Sequence, residues 1–383
     1  MAAANPFVYG EVVTATAFAD RERERERLGR DLAEGQKVFL ISPRRYGKSS
    51  LIRGVMKELA SERILTVEVT VAASSSYVGF LEAYARALLS ADTPVSGLRR
   101  WAGELLQTVR PELRFDAQPA GQPRFSVTFP AVRSARDTAR LAAEVFALPG
   151  RIAAARRQRM AIALDEFQTI AAFDGGNVEH ALRAAVQEQR EVGYVFAGSE
   201  PSLMERMLTP RRPFYKAGPV VRLGKIDEQI FADFIEAKFA RSGIRAEDGL
   251  GAAIVELAEN VPYDVQRLAH ETWDDVRAAG RKTAGLEDLH LTLGRLLDEQ
   301  HTVFEESWQR LTLAQRAVLR AVVLENGREL LAAGVRQRHR LPGASSVQTA
   351  LGALQRQDIV MKDQGRYFVN DSLYREWLAR RTF

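Results

Sequence analysis

The stretch KVFLISPRRYGKSSLI, from Lys37 to Ile52, most narrows what this chain can fold into. Lys37–Ile41 is a short β-branched and apolar run, the pattern of a parallel strand buried on both faces. Ser42 to Ser49 follows with P-loop spacing: Ser42 stands where a glycine is usual, and Gly47, Lys48 and Ser49 close the motif. A helix is expected from Ser49 to Leu59. Successive backbone N–H groups at such a helix start form an anion nest, and the helix dipole favours negative charge there. Gly47 lets the backbone approach phosphate oxygens, Lys48 brings a point charge to the β/γ-phosphates, and the Ser49 hydroxyl is a ligand for Mg²⁺. The candidate nucleotide-binding residues are therefore Ser42, Pro43, Arg44, Arg45, Tyr46, Gly47, Lys48, Ser49 and Ser50.

At 383 residues the chain exceeds one ordinary core, so two or three domains are expected. An apolar fraction of 46% and a charged fraction of 27% are those of a soluble globular protein. The absence of cysteine excludes disulfides, zinc–thiolate sites and thiol nucleophiles. No apolar run approaches the ~20 residues that span a bilayer, and MAAANPFVYG lacks a basic start and an apolar core. The expectation is a cytoplasmic protein with no membrane partner. Its five histidines are scattered, without metal-ligand spacing. The net charge of +5 is uneven: Leu311–Phe383 holds 12 Lys and Arg against 6 Asp and Glu, while the other 310 residues sum to −1.

Five apolar runs are candidate strands: Lys37–Ile41, Leu65–Thr70, Met160–Leu164, Gly193–Ala197 and Pro219–Leu223. Helical patterns between most of them predict a parallel sheet with right-handed crossovers, and ligands in such sheets sit beyond the strands' carboxyl ends. MAIALDEFQ delivers Asp165 and Glu166 to that edge. An Asp there can hold the hydration shell of Mg²⁺, and the adjacent Glu can polarise an attacking water. YVFAGSE ends a further strand at Ser199, which is placed either to hydrogen-bond the γ-phosphate or the water, or to cap the following helix.

These pieces, taken in order, resemble the prokaryotic STAND/AAA+-like P-loop ATPases called archaeal-type ATPases, in their bacterial branch. The matching stretches are NPFVYG, FADRERE, LISPRRYGKSSLI, LDEFQ, AGSEPSLM, RRPFYKAG and VPYDVQRLAHETWDDV, which spread over most of the first 280 residues. In this branch Ser-Pro-Arg-Arg-Tyr commonly precedes Gly-Lys, which accounts for Ser42. The resemblance gives Phe18 and Arg21 an adenine-side role, and FADRERE departs from it by carrying Asp20 where relatives usually have a Gly before Arg-Glu. The resemblance implies an ATP site with Lys48 and Ser49 on phosphate and Mg²⁺, Asp165 on the metal, and Glu166, Lys48 and Ser199 as the catalytic set. It also implies homo-oligomers with nucleotide, in which an arginine acts in trans on the transferred phosphoryl group. Arg211, Arg212 and Lys216 are the candidates.

The run RERERERLGR reads as a solvated helix, with Glu22–Arg25 and Glu24–Arg27 pairing across one turn. Leu113–Phe129 alternates around Pro119-Ala120-Gly121, as an inserted hairpin would. From Asp227 the pattern is helical, and the resemblance makes this segment a lid, with Pro262 and Tyr263 near the adenine and Gln266 or Arg267 as a second sensor. Trp273 and Leu268 read as core.

Trp308–Phe383 has the pattern of a winged helix. LTLAQRAVLRAVVLE and RELLAAGVRQRHRL supply the first two helices, and Pro342-Gly343 breaks the chain. Ser345 is expected to cap SSVQTALGALQRQ, and IVMKDQGRYFV forms the wing. A recognition helix exposing Ser346, Gln348 and Thr349 can enter a major groove, with Arg336, Arg338, Arg340 and Lys362 on phosphates. A protein partner for the same module is the alternative.

The expected architecture is a P-loop NTPase α/β parallel sheet over residues 1–225, a helical lid over 226–303 and a winged helix over 304–383. The expected activity is Mg²⁺-dependent ATP binding and slow hydrolysis in a nucleotide-controlled switch or assembly, associated with double-stranded DNA through the winged helix. A signalling switch with a protein output and a transcription regulator using the ATPase fold as scaffold are the competing readings.

Overall fold

The computed structural model describes residues 4–10, 19–92, 111–116, 124–130, 132–173, 177–363 and 365–381. Phe18, the hairpin turn at Pro119-Ala120-Gly121 and Gln364 in the wing lie outside them. The chain divides into two compact units, Val12–Gly224 and the pair of segments Met1–Glu11 with Lys225–Phe383.

The first unit is built on a five-stranded parallel sheet. Its strands are β1 (Lys37–Ile41), β2 (Leu65–Thr70), β5 (Met160–Asp165), β6 (Val192–Gly198) and β7 (Val220–Arg222), in the order β2-β5-β6-β1-β7. The expected runs all become strands. What their apolar pattern does not carry is the order, which places β6 between the P-loop strand and the acidic strand.

Alternate residues of each strand feed two cores. Phe39, Ile162, Tyr194 and Phe196 face one side, and Val38, Leu40, Ala161, Ala163 and Ala197 face the other. The second face is lined with small residues, which lets helices α1 (Glu22–Ala33) and α2 (Lys48–Ser61) approach closely. Gly193 is the tightest point: a Cβ there would lie 2.2 Å from the Leu32 carbonyl oxygen. The opposite face is covered by α3 (Tyr77–Asp92), α4 (Ala135–Arg156) and α5 (Asn177–Glu188). The expected hairpin forms as β3 (Glu112–Asp116) and β4 (Arg124–Thr128), antiparallel, with Phe125, Val127 and Phe129 buried in this core. Helix α6 (Pro201–Met207) follows β6.

The charged repeat does form α1, but its side chains pair differently from the expectation. Arg21 pairs with Glu24, Arg25 with Glu58 on α2, and Arg27 with Asp31. Packing against α2 supplies Arg25 with a partner that a lone helix lacks. Arg21 is buried at a left-handed backbone position (φ 99°) and donates to the Gly224 carbonyl, which ties the two ends of this unit together.

The second unit opens with α7 (Glu228–Arg241), capped by the Asp227 carboxylate on the Gln229 and Ile230 amides. Next come α8 (Leu250–Leu257), α9 (Pro262–Ala278) and α10 (Leu286–Gln309), with short strands β8 (Arg245–Ala246) and β9 (Thr283–Ala284) pairing in parallel. Trp273 and Leu268 are buried. The N-terminal residues belong here because of specific contacts. The Phe7 ring lies 4.9 Å from Phe239, the Tyr9 hydroxyl donates to Glu271 at 2.7 Å, and Asn5 donates to the His270 carbonyl and to Asp274.

The winged-helix segment comprises α11 (Leu313–Leu324), α12 (Ala333–Arg338), α13 (Ala344–Arg356), strands β10 (Val360–Asp363) and β11 (Arg366–Val369), and α14 (Ser372–Arg380). Helix α12 is only six residues long, and α13 begins one residue before Ser345, with Gly343 at its N-cap. The α13 stripe Val347, Ala350, Leu351 and Leu354 is buried, as its spacing predicts. Gly327 is left-handed (φ 69°), and a Cβ there would lie 1.5 Å from the Tyr367 carbonyl oxygen. Among the described residues no helix is long and apolar enough to cross a membrane.

Candidate nucleotide site

Parallel pairing brings three strand ends to one edge. Ile41 registers with Gly198, and Asp165 ends β5 on the far side of β6. The loop after β1 alternates handedness, with Arg45 (φ 69°) and Gly47 (φ 86°) both left-handed. Such alternation points successive N–H groups to one side and makes an anion nest. Ser42 is not left-handed, so the position usually held by glycine has no conformational need for one. It is fully buried, and its amide donates to the Gly198 carbonyl at 3.2 Å. A Cβ at Gly47 would meet nothing within 4 Å, so its backbone angle is what calls for glycine.

Lys48, buried in the first turn of α2, places Nζ against Asp165 Oδ1 and 3.6 Å from Glu166 Oε1. The Ser49 hydroxyl donates to Asp165 Oδ2 at 3.0 Å. Glu166 is left-handed (φ 53°), which turns its side chain back toward the same edge. Its Oε2 accepts from the Ser199 hydroxyl at 2.6 Å and from Gln168 Nε2 at 2.6 Å. Burial alone would raise the Glu166 carboxyl. The hydrogen bonds from Ser199 and Gln168, with the charges of Lys48 and Arg44, overcome it and hold the group below its ordinary value. Ser199 does not cap α6, whose N-cap is Glu200. Arg44 is exposed and lies 3.7 Å from Glu200; Tyr46 and Ser50 are buried.

The loop TPRRPFYKAG hangs on Phe214, fully buried with its ring 5.3 Å from both Phe167 and Phe196 and 5.8 Å from Phe39. Arg212 donates to the buried Glu179 carboxylate at 2.5 Å. Arg211 (φ 73°) and Lys216 (φ 52°) are exposed at left-handed positions. Glu179 lies in no motif, and Gln168 and Phe214 lie in LDEFQ and RRPFYKAG without an assigned role; the trace they leave is their place in those stretches.

In the second unit Pro262 is the first residue of α9, the Tyr263 ring stacks edge-on to Tyr9 at 5.9 Å, and Gln266 is buried. In the winged helix Ser346, Gln348, Thr349, Arg340 and Lys362 are exposed. The other two basic residues on α12 are engaged: Arg338 pairs with Glu325 at 2.6 Å, and Arg336 donates to the Leu331 carbonyl. Arg366 of the wing lies 3.6 Å from Glu259, which also binds Arg375 at 2.8 Å.

A family model described as "Probable winged helix domain" matches residues 302–380. In fold the chain is similar to the Walker-type ATPase of Pyrococcus abyssi, at 16% identity over 98% of this chain and 99% of that one, with a TM-score of 0.65. It is also similar to the ORC1 protein of Aeropyrum pernix, solved in complex with DNA, at 14% identity over 94% and 92% of the two chains and a TM-score of 0.51. The ORC2 protein of the same organism, solved as ADPNP–ADP complexes, matches at 13% identity over 97% and 95%, with a TM-score of 0.52. No curated protein matches the sequence. The chain therefore has the α/β parallel-sheet fold of P-loop ATPases, followed by a helical region and a winged helix.

Proposed function

We propose that the protein binds and hydrolyses ATP and uses the cycle to switch conformation or assembly, with its winged helix directed at double-stranded DNA. One observation carries the first half: Lys48, Ser49, Asp165, Glu166 and Ser199 converge at the end of a buried sheet, beside a loop whose backbone is wound as an anion nest. The donor chemistry fits Mg²⁺, a hard cation that takes oxygen ligands and keeps much of its water. Ser49 Oγ and Asp165 Oδ2 are adjacent oxygens that would hold it, and the bound ion would supply charge neutralisation on the phosphates.

For Lys48 the reading requires an exchange of partners, from Asp165 to a phosphate oxygen. Glu166 then takes a proton from a water attacking the γ-phosphorus, while the bond to the β,γ-bridging oxygen breaks and ADP leaves with the electron pair. The hydrogen bonds and charges that hold the Glu166 carboxyl below its ordinary value keep it in the ionised form that can accept a proton. Arg211 and Lys216 are the better trans-acting candidates, since Arg212 already neutralises a buried carboxylate of its own subunit.

The DNA half rests on the +6 charge of the C-terminal segment, on the exposed polar face of α13 and on the likeness to a fold solved with DNA. A protein partner is the second reading. The engagement of Arg338, Arg366 and Arg375 with glutamates of this chain favours it, because it leaves fewer cations for phosphates.

The deciding experiment is the rate of phosphate release with and without double-stranded DNA across a salt series, with particle size measured under each nucleotide. Stimulation that fades steeply with salt supports DNA. A change of assembly state with no response to DNA supports the protein reading. Phosphate release unchanged by Lys48→Ala and Glu166→Gln would refute the site.

A further inference from the structure

Gln168 sits in the short 3-10 segment Phe167–Ala172 that follows the acidic pair, and it is only 4% exposed. Its Nε2 donates to the same Glu166 oxygen that receives the Ser199 hydroxyl, both at 2.6 Å. Two donors fill both lone pairs of Oε2, so the carboxylate cannot turn about its last torsion without losing both. The oxygen left uncommitted is Oε1, which faces Lys48 at 3.6 Å.

The other end of the amide is in a poor place. Gln168 Oε1 is buried with no donor, which an apolar side chain of similar size would avoid. Reversing the amide gives no relief, since it would put the carbonyl oxygen against the carboxylate. The surroundings are also shaped to accept this side chain: a Cβ at Gly198 would lie 2.7 Å from Gln168 Oε1 and 2.3 Å from Met204 Cγ. An amide kept at a destabilising position, with a glycine opposite to make room, is what a fixed carboxylate orientation requires.

We propose that Gln168 is a positioning residue that, with Ser199, locks the Glu166 carboxylate so that Oε1 faces the phosphate-binding loop and receives the proton of the attacking water. This rests on the hydrolysis reading of the site. The groups facing Glu166 are Lys48 from α2, Arg44 from the loop, Asp165 from β5, and Ser199 from the end of β6, with Glu200 beside Arg44. Gln168, from the turn after β5, joins Ser199 in binding its Oε2.

The test is Gln168→Met in the full chain, which keeps the volume and removes the donor. Turnover is expected to fall about tenfold, the worth of one hydrogen bond to a charged group. The KM for ATP should stay within about twofold, because Gln168 reaches neither Lys48 nor Ser49. Gly198→Ala displaces Gln168 without deleting it and should give the same signature. Gln168→Asn, an amide one methylene too short to reach, should do so too, and it decides the case if the Met variant fails to fold. Wild-type turnover in these variants, with Glu166→Gln inactive, would overturn the positioning role alone. Full turnover in Glu166→Gln would instead remove the hydrolysis reading beneath it.

Discussion

Phe214→Ala tests whether the basic loop and the acidic strand share one anchor. Phe214 is fully buried among Phe39, Phe167 and Phe196, so truncation removes a whole ring from the core. Phe→Ala at such a site costs about 4 kcal/mol, part lost transfer energy and part residual cavity. With a urea slope of roughly 2.5 kcal/mol per molar, that moves the midpoint of the Val12–Gly224 unit down by about 1.5 M. Amide exchange in β1, β5 and β6 against urea reads that midpoint directly. With Trp101, the one tryptophan of Val12–Gly224, replaced by phenylalanine, the fluorescence of Trp273, Trp308 and Trp377 reports the other unit and serves as the reference. Phe167 follows Glu166 directly in the chain, so turnover should fall further than nucleotide affinity does. A shift under about 0.4 M would mean that the neighbouring rings close over the gap. The loop's hold would then rest on the Arg212–Glu179 pair and the Phe39–Pro219 backbone bond rather than on the ring.

Two further outcomes are expected. Gly327→Ala meets both a left-handed backbone and the Tyr367 carbonyl, so it should unfold the winged-helix segment at lower temperature by about 2–4 kcal/mol; an unchanged melting temperature would refute that contact. Glu259→Gln removes the carboxylate shared by Arg366 and Arg375, leaving Arg375 on Glu376 and Arg366 without an ion pair among the described residues, at a cost of about 1 kcal/mol in stability after solvent screening. If the wing reaches DNA, the freed Arg366 should steepen the salt dependence of binding by about one phosphate contact, whereas an identical slope would exclude it.

The strands and the loop were legible because each is a local pattern: short apolar runs buried on both faces, and a motif whose spacing is dictated by phosphate. The role of Ser42 became clear only with the backbone, since left-handedness at Arg45 and Gly47 cannot be read from residue names. Glu179 and Phe214 escaped because their partners lie across crossovers, at separations where sequence carries no periodic signal, and Gln168 because an i,i+2 amide–carboxylate bond depends on the turn at Glu166. Helix α12 and the start of α13 were misjudged for a smaller reason, a Gly343 cap chosen over the expected Ser345. The charged repeat shows the reverse case: an i,i+3 rule applied to an isolated helix lost to Glu58 on a neighbouring one.

The N-terminal contacts with α9 also set an order of events during synthesis. Asn5 leaves the ribosome 265 residues ahead of His270, on the order of 10–50 s at ordinary elongation rates. For most of that interval Phe7 and Tyr9 lack their partners on α7 and α9, and the whole of Val12–Gly224 emerges before either partner does. Folding of that inserted unit then brings Arg21 onto Gly224, so a loop of some two hundred residues is closed before the flanking segments must meet. Variants that slow the folding of Val12–Gly224 should therefore leave the N-terminal aromatics open to chaperones and proteases for longer.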